Sequence, residues 1–218
     1  MNTIRILYKD DVLAVAVKPA GVLSQPDRTG EDSMVTLLAA QLGREVFPVH
    51  RLDRAVGGLM VFAMTRSAAG KLSSLVTSDA FEKEYLAVVH GTPAEEKAEL
   101  CDYLYHDPRR NLTAVVEAGS KDAKEAKLAY TLLGRDMEGE LSLVRVRLYT
   151  GRTHQIRVQF ASRSMPIAGD GKYGARDRMA LALWSARLTL RHPVRKKTMT
   201  FEALPDNTVS PWDRFGIL

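Results

Sequence analysis

Short apolar runs alternate with turn-forming segments along the chain, and their periods predict the secondary structure. Residues 141–148 form the clearest predicted strand, because apolar residues alternate there with Arg145 and Arg147. One face of that strand is therefore expected to be buried and the other basic. Further strands are predicted at residues 4–8, 13–17, 59–64, 83–89, 99–105, 112–117, 127–133, 181–190 and 198–203.

Three segments instead show the spacing of amphipathic helices. Met34 begins one such segment after Asp32-Ser33, and Gly43 ends it. Ser67 is predicted to cap a second helix, and residues 153–162 form the third. The resulting fold class is α+β, with a mixed, mainly antiparallel sheet and flanking helices. We expect residues 1–218 to form a single domain.

Composition narrows the class of protein. The chain has 218 residues, of which 45% are hydrophobic, and Cys101 is its one cysteine. A disulfide framework and paired-cysteine metal sites are thereby excluded. No apolar stretch approaches membrane-spanning length, and the N-terminal residues do not have the pattern of a secretory leader. We expect a cytoplasmic protein that is not bound to membranes.

Positive charge is concentrated in one part of the chain. The net charge is +5, and residues 145–197 hold 13 lysines and arginines but two acids, Asp170 and Asp177. Such density favours a phosphate-rich partner such as nucleic acid, although solvated basic faces are common on proteins without one.

Asp53 is the first candidate for chemistry. It stands in the basic segment 50–54, just before Gly57-Gly58 and an apolar strand. The charges of Arg51 and Arg54 are expected to keep this carboxylate ionised. Taken alone, the pattern is more often that of a surface ion pair.

A second polar cluster occupies residues 151–157. Arg152 and His154, at the start of the predicted helix, are candidates for holding a phosphate, and Arg157 is a candidate partner for a buried carboxylate. An ordinary basic helix start explains the same residues. Tyr85 lies in a predicted strand, where an aromatic residue usually packs in the core.

The order of several segments resembles that of the RluA-type RNA pseudouridine synthase family. The resemblance covers nearly the whole chain and rests on the combination of fragments. They are residues 6–11 with 18–21, 50–53 with 58–63, 83–85, 151–157, 169–174, and 188–193 with 201–205.

This resemblance implies the pseudouridine synthase catalytic fold and an enzyme that isomerises uridine in RNA, ribosomal or transfer, after flipping the nucleotide from its stack. Asp53 would be the catalytic carboxylate and Arg157 its ion-pair partner. Tyr85 would lie against the uracil, and Arg51 would fill the vacated space. No metal or cofactor is implied, and a monomer is expected.

Two departures from the family pattern affect the interpretation. Val56-Gly57 stands where the family commonly has Thr-Ser, and the family's frequent N-terminal RNA-binding module is not expected in this chain. The first departure leaves open an alternative, a non-catalytic RNA-binding protein on the same scaffold. A glycosidase is disfavoured, because it would normally need two well-placed acids.

Overall fold

β-strands dominate the fold. The computed structural model describes residues 3–76, 78 and 80–216. The strands in this part of the chain are β1 (Ile6–Lys9), β2 (Leu13–Lys18), β3 (Phe47–Pro48), β4 (Gly57–Ala63), β5 (Phe81–His90), β6 (Lys97–Asp107), β7 (Leu112–Val116), β8 (Lys124–Arg135), β9 (Leu141–Leu148), β10 (Leu183–Arg191) and β11 (Thr198–Glu202).

Three α-helices accompany these strands in the described residues. They are α1 (Met34–Leu42), α2 (Arg66–Val76) and α3 (Gln155–Ala161), and single 3-10 turns occupy Gly171–Tyr173 and Trp212–Arg214. Most ladders are antiparallel, and the pairing of β4 with β10 is parallel. The α+β, mainly antiparallel prediction is thus confirmed.

The chain divides into two compact units. One contains the described residues up to Lys83 together with Trp184–Pro205, and the other contains Glu84–Leu183 with the described residues from Asp206 onward. Asp53 belongs to the first unit, whereas Tyr85 and Arg157 belong to the second. One catalytic domain spanning residues 1–218 stays a prediction.

In the first unit, β4 forms the centre of the sheet. The strand order is β1-β2-β4-β10, with β3 also on β4 and β11 on β10. All seven residues of β4 are buried, as its unbroken apolar run predicts. Leucines and valines of β2 and β4 form a core with Leu72 of α2, and burial of this apolar surface stabilises the unit.

In the second unit, β8 lies between β6 and β9 in the order β5-β9-β8-β6-β7. Val158 of α3 packs against Leu104 and Ala126 of this sheet. Arg145 and Arg147 of β9 are exposed, and their neighbours Val144 and Val146 are buried. The predicted alternation along this strand is confirmed.

Differences from the predicted elements have local causes. The third helix begins at Gln155 rather than at residue 153, because His154 adopts the left-handed conformation (φ 54°). The predicted cap of α2 is wrong: the helix starts at Arg66, and Thr65 Oγ1 accepts the Ala68 N–H at 3.1 Å.

No α-helix among residues 3–76, 78 and 80–216 combines the length and apolar character required to cross a membrane.

Two glycines allow β4 and β10 to approach closely. A Cβ atom on Gly57 would lie 2.3 Å from Cζ3 of Trp184, and one on Gly58 would lie 2.3 Å from the Ser185 carbonyl oxygen. Gly58 also has a φ of +112°, which side-chain-bearing residues rarely adopt. The Trp184 indole Nε1 donates to Ala203 O at 2.8 Å, which fixes the ring against Gly57. The glycine at position 57, where the family commonly has a serine, therefore leaves room for the Trp184 ring.

Gly57→Ser is expected to lower the free energy of unfolding by about 1–3 kcal/mol, because the added atoms overlap the Trp184 ring. Urea denaturation measures this change. In a Trp184→Ala background the same substitution should cost less than about 0.5 kcal/mol, which a double-mutant cycle resolves.

Gly70→Ser is the matched control, since nothing lies within 4 Å of the position that a Cβ would take there. It should change stability by no more than about 0.5 kcal/mol. Equal costs for Gly57→Ser with and without Trp184 would refute the steric explanation.

Candidate active site

A buried lysine supports the loop that carries Asp53. The side chain of Lys18, at the end of β2, is fully buried, and its Nζ donates to Arg54 O at 2.8 Å and to Pro19 O at 3.0 Å. The Gly21 N–H donates to the same Arg54 carbonyl at 2.8 Å. These bonds fix the backbone directly after Asp53.

The charge of Lys18 acts on the same loop. Burial lowers the pKa of Lys18 to about 8, while the negative charge of Asp53 opposes the shift and the Arg54 charge adds to it. Lys18 is consequently protonated at neutral pH. It supplies a positive charge in the same unit as the Asp53 carboxylate.

Leu52, immediately before Asp53, is held by a reciprocal pair of hydrogen bonds. Its N–H donates to Ser24 Oγ at 3.0 Å, and the Ser24 hydroxyl donates to Leu52 O at 2.7 Å. The Leu52 side chain is buried. A turn follows, in which the Val56 N–H donates to Asp53 O at 3.0 Å. Asp53 is thus anchored on both sides of its backbone.

His50 connects the start of this segment to β4. Its Nε2 accepts the Val61 N–H at 3.2 Å, and its ring meets Phe81 edge-on at 5.6 Å. Burial, together with the positive charge of Lys83, lowers the pKa of His50 to about 3. A neutral imidazole is required at this position, because a protonated Nε2 could not accept. His50 therefore positions the loop rather than transferring protons at neutral pH.

Arg54 forms an ion pair with Glu31, while its predicted effect on the charge of Asp53 stays a prediction. Its guanidinium forms a two-pronged ion pair with Glu31, in which Nη1 lies 2.9 Å from Oε1, and its Nε donates to Gly21 O. About half of each charged side chain is exposed, so the pair contributes little stability. Arg51 is exposed.

In the second unit, Arg157 of α3 forms a buried ion pair with Asp170. Its Nε and Nη2 lie 2.7 and 2.8 Å from the two carboxylate oxygens, and the side chains are 9% and 1% exposed. The prediction that Arg157 faces a buried carboxylate is confirmed for Asp170. The pairing of Arg157 with Asp53 stays a prediction.

Tyr173 links this ion pair to His154. The Arg157 guanidinium lies 5.1 Å from the centroid of the Tyr173 ring, and the Tyr173 hydroxyl lies 2.8 Å from His154 Nδ1. The same hydroxyl accepts the Thr113 N–H of β7 at 2.9 Å. Three polar side chains are thereby grouped with the phenol ring of Tyr173: His154, Arg157 and Asp170.

Two other predicted residues lie elsewhere in this unit. Arg152 is exposed, and its Nε donates to Glu125 O of β8 at 2.8 Å. The described contacts therefore connect Arg152 to a strand rather than to His154. Tyr85 lies on β5, and its side chain is 6% exposed.

Sequence reasoning assigned no role to Lys18, Asp170 or Tyr173. All three stand in segments that carry the family resemblance, but the resemblance alone gave them no function. A lysine and an aspartate among glycines predict an exposed loop. Their burial could not be predicted, because it depends on distant segments of the chain. Among the residues that the structure describes, no three His, Cys, Asp or Glu side chains are grouped so that they could hold a metal ion.

Comparison with known proteins identifies the class. The family described as RNA pseudouridylate synthase matches residues 12–162, and the chain therefore belongs to this family of isomerases. The dual-specificity RNA pseudouridine synthase RluA of Escherichia coli K12 is 34% identical over 92% of this chain and 93% of its own length. The predicted resemblance to RluA-type enzymes is confirmed.

Other relatives agree with this assignment. The tRNA pseudouridine synthase C of Vibrio parahaemolyticus is 29% identical over 94% of this chain and 92% of its own length. The solved structure of human RNA Pseudouridylate Synthase Domain Containing 1 shares the fold, with a TM-score of 0.78 and 21% identity over 96% of this chain and 86% of that one.

Lys18→Met should separate the role of Lys18 in positioning from any role in stability. The substitution removes both the desolvation cost of a buried charge and the two hydrogen bonds of Nζ. Because these effects oppose each other, the free energy of unfolding should change little. Pseudouridine formation should fall by about 10²-fold, because Arg54 O, directly after Asp53, loses its charged hydrogen bond. Glu31→Gln, which alters only the exposed Arg54 pair, is the control. Equal activity of Lys18→Met and wild type would contradict the assigned role.

The same residue predicts a pH dependence of stability. Its pKa falls from 10.5 in the unfolded chain to about 8 in the folded chain, so the unfolded state binds more protons between these values. Wild-type stability should therefore gain a contribution as pH rises from about 8 towards 10.5. Urea denaturation across this window should show that Lys18→Met lacks this contribution.

Proposed function

We propose that this chain isomerises uridine in RNA to pseudouridine and that Asp53 is the catalytic carboxylate. The observation that carries the proposal is the fixation of the Asp53 loop by Lys18 and Ser24, and by the bond from the Val61 N–H of β4 to His50 within the loop. A reacting group must be held in place by its surroundings. The family membership supplies the class of reaction.

The chemistry is an exchange of bonds within one nucleotide. The bond between N1 of uracil and C1′ of ribose breaks, and a bond between C5 and C1′ forms. The hydrogen on C5 leaves as a proton, and N1 gains one, so no electrons or external atoms are required. Asp53 acts as nucleophile or base at the ribose or at the uracil ring. The residues named for this chemistry need no cofactor.

Access to the uridine requires that it leaves its stack. In our proposal the nucleotide is flipped out of the RNA towards Asp53, at a cost of a few kcal/mol that contacts with the protein offset. Arg51, which is exposed beside Asp53, fills the vacated space. Its guanidinium plane is suited to stacking against neighbouring bases.

Tyr85 and Arg157 complete the proposed catalytic group. Tyr85 stacks on the detached uracil or assists loss of the C5 proton. Arg157 holds Asp53 ready by an ion pair, in addition to its buried pair with Asp170. A guanidinium can engage more than one carboxylate because it has five N–H donors.

Contacts with the RNA backbone are assigned to Arg152 and His154. The exposed guanidinium of Arg152 is suited to a phosphate oxygen, and Tyr173 restrains the imidazole of His154. The substrate is a ribosomal or a transfer RNA, and the names of the relatives include both a dual-specificity enzyme and a transfer RNA enzyme. We further propose that the chain acts as a cytoplasmic monomer.

Asp53→Asn tests the catalytic assignment. The substitution keeps the shape of the side chain but removes its charge. Pseudouridine formation, mapped across cellular RNA exposed to the purified protein, should fall by about 10²-fold or more. Affinity for RNA should change by less than about threefold, because one uncharged side chain replaces one acid in a large interface.

Asp11→Asn is the matched control, since Asp11 is an exposed acid at the β1–β2 turn. It should leave product formation unchanged. Unimpaired activity of Asp53→Asn would refute the role of Asp53. If the wild-type protein binds RNA but forms no pseudouridine, the alternative of a non-catalytic RNA-binding protein is correct instead.

A further inference from the structure

An open cleft of about 400 Å³ lies in the first unit, between the last turns of α2 and the turn that joins β10 to β11. Three cationic side chains line it, Lys71, Arg191 and Lys196, beside the apolar Leu75 and Pro193. No acidic residue lines this cleft among the residues that the structure describes. We refer to the surface formed by Lys71, Arg191 and Lys196 as the basic cleft.

The turn that carries two of these cations is closely restrained. Arg191 Nε donates to Lys196 O at 3.1 Å. The Lys196 N–H donates to His192 O at 2.9 Å, and the His192 N–H donates to Lys197 O at 2.8 Å. Lys196 itself has a φ of 57°. Because the turn is already restrained, less conformational entropy is lost when a partner binds to it.

His192 fixes this turn to the β1–β2 turn. Its ring is fully buried, and Nδ1 accepts the N–H groups of Val194 and Arg195 at 3.2 and 2.9 Å. Nδ1 therefore carries no proton, and Nε2–H donates to Asp10 Oδ2 at 2.9 Å. Two rigid turns thus support the exposed cations.

The charge of this surface favours an anionic partner. Beyond the basic cleft, the same turn exposes Arg195 and Lys197. Asp10 approaches Arg195 at 3.5 Å, but that carboxylate also accepts from buried His192. Several cations on one restrained surface match the repeated phosphates of a nucleic acid, and each cation that meets a phosphate releases condensed counterions.

Strand β10 indicates how far the basic cleft lies from the catalytic loop. Trp184 pairs with Gly57, four residues after Asp53, whereas Arg191 ends the strand at the basic cleft. Seven residue steps in a strand span about 23 Å. At about 3.4 Å per nucleotide along a duplex, this distance corresponds to on the order of seven nucleotides.

We propose that the basic cleft binds the phosphodiester backbone of the substrate RNA at a position remote from the modified uridine. The proposal rests on the proposed function for the identity of the nucleic acid. Lysine and arginine at this site contact phosphate oxygens rather than base edges, so the cleft holds the RNA without reading its sequence. The bound backbone adds affinity and leaves the chemical step unchanged.

The test compares RNA affinity at several salt concentrations. The triple variant Lys71→Gln, Arg191→Gln, Lys196→Gln removes the charges of the basic cleft. The control variant Lys97→Gln, Lys121→Gln, Arg135→Gln removes three exposed positive charges from the second unit. Unfractionated transfer RNA serves as the probe, because backbone recognition does not depend on sequence.

In the triple variant, the slope of log affinity against log salt concentration should become shallower by about two to three, in line with about 0.7–0.9 per lost phosphate contact. The control variant should change this slope by less than about one. Equal slopes for the two variants would overturn the proposal. So would a loss of affinity for polyglutamate with unchanged affinity for transfer RNA, because the surface would then bind an acidic polypeptide.

Two further measurements keep the result interpretable. Lys71→Gln with Lys196→Gln retains Arg191 and its hydrogen bond to Lys196 O, so it should fold normally and lower the slope by about one to two. For pseudouridine formation, the triple variant should raise KM about tenfold or more and leave kcat within about twofold. A fall in kcat with an unchanged KM would contradict a role confined to binding.

Failure of this proposal is distinguishable from failure of the proposed function. If the wild-type protein forms no pseudouridine but the triple variant still lowers the salt slope, the basic cleft binds RNA and the catalytic assignment is wrong. If product forms and the slope does not change, the catalytic assignment stands and the basic cleft does not bind RNA.

Discussion

The buried ion pair between Arg157 and Asp170 is the interaction on which the polar site of the second unit depends. Residues 155–160 of α3 are all buried, so every polar side chain of this short helix needs a partner inside the protein. A guanidinium at this depth is tolerable only beside a well-placed carboxylate. The pair ties α3 to the 3-10 turn Gly171–Tyr173, and it thereby sets the positions of Tyr173 and His154.

In the first unit, a buried lysine likewise holds polar groups in place. Lys18 donates to the Arg54 carbonyl of the Asp53 loop and to Pro19 O, and it adds a positive charge there. Gly57 then allows Trp184 to lie directly against the start of β4. The residues that differ from the family pattern are therefore part of a packed arrangement. Both units hold their candidate site residues by buried polar contacts rather than by surface ion pairs.

Local patterns predicted much of the fold. The alternation along β9, the apolar run of β4 and the stop at Gly43 each depend on neighbours in sequence, and the structure contains all three. The partners of polar side chains were less predictable, because they depend on how distant segments meet. Arg54 thus pairs with Glu31, and Arg157 with Asp170, a partner that the spacing along the chain did not indicate.

The central physical claim is that Arg157 and Asp170 stabilise the second unit in large part through their interaction with each other. A double-mutant cycle with Arg157→Met and Asp170→Asn, followed by urea denaturation, tests it most directly. Each single substitution should lower the free energy of unfolding by about 3–5 kcal/mol, because each leaves one buried polar partner uncompensated. The double substitution should cost less than the sum by about 1–3 kcal/mol. Strictly additive losses would contradict the account.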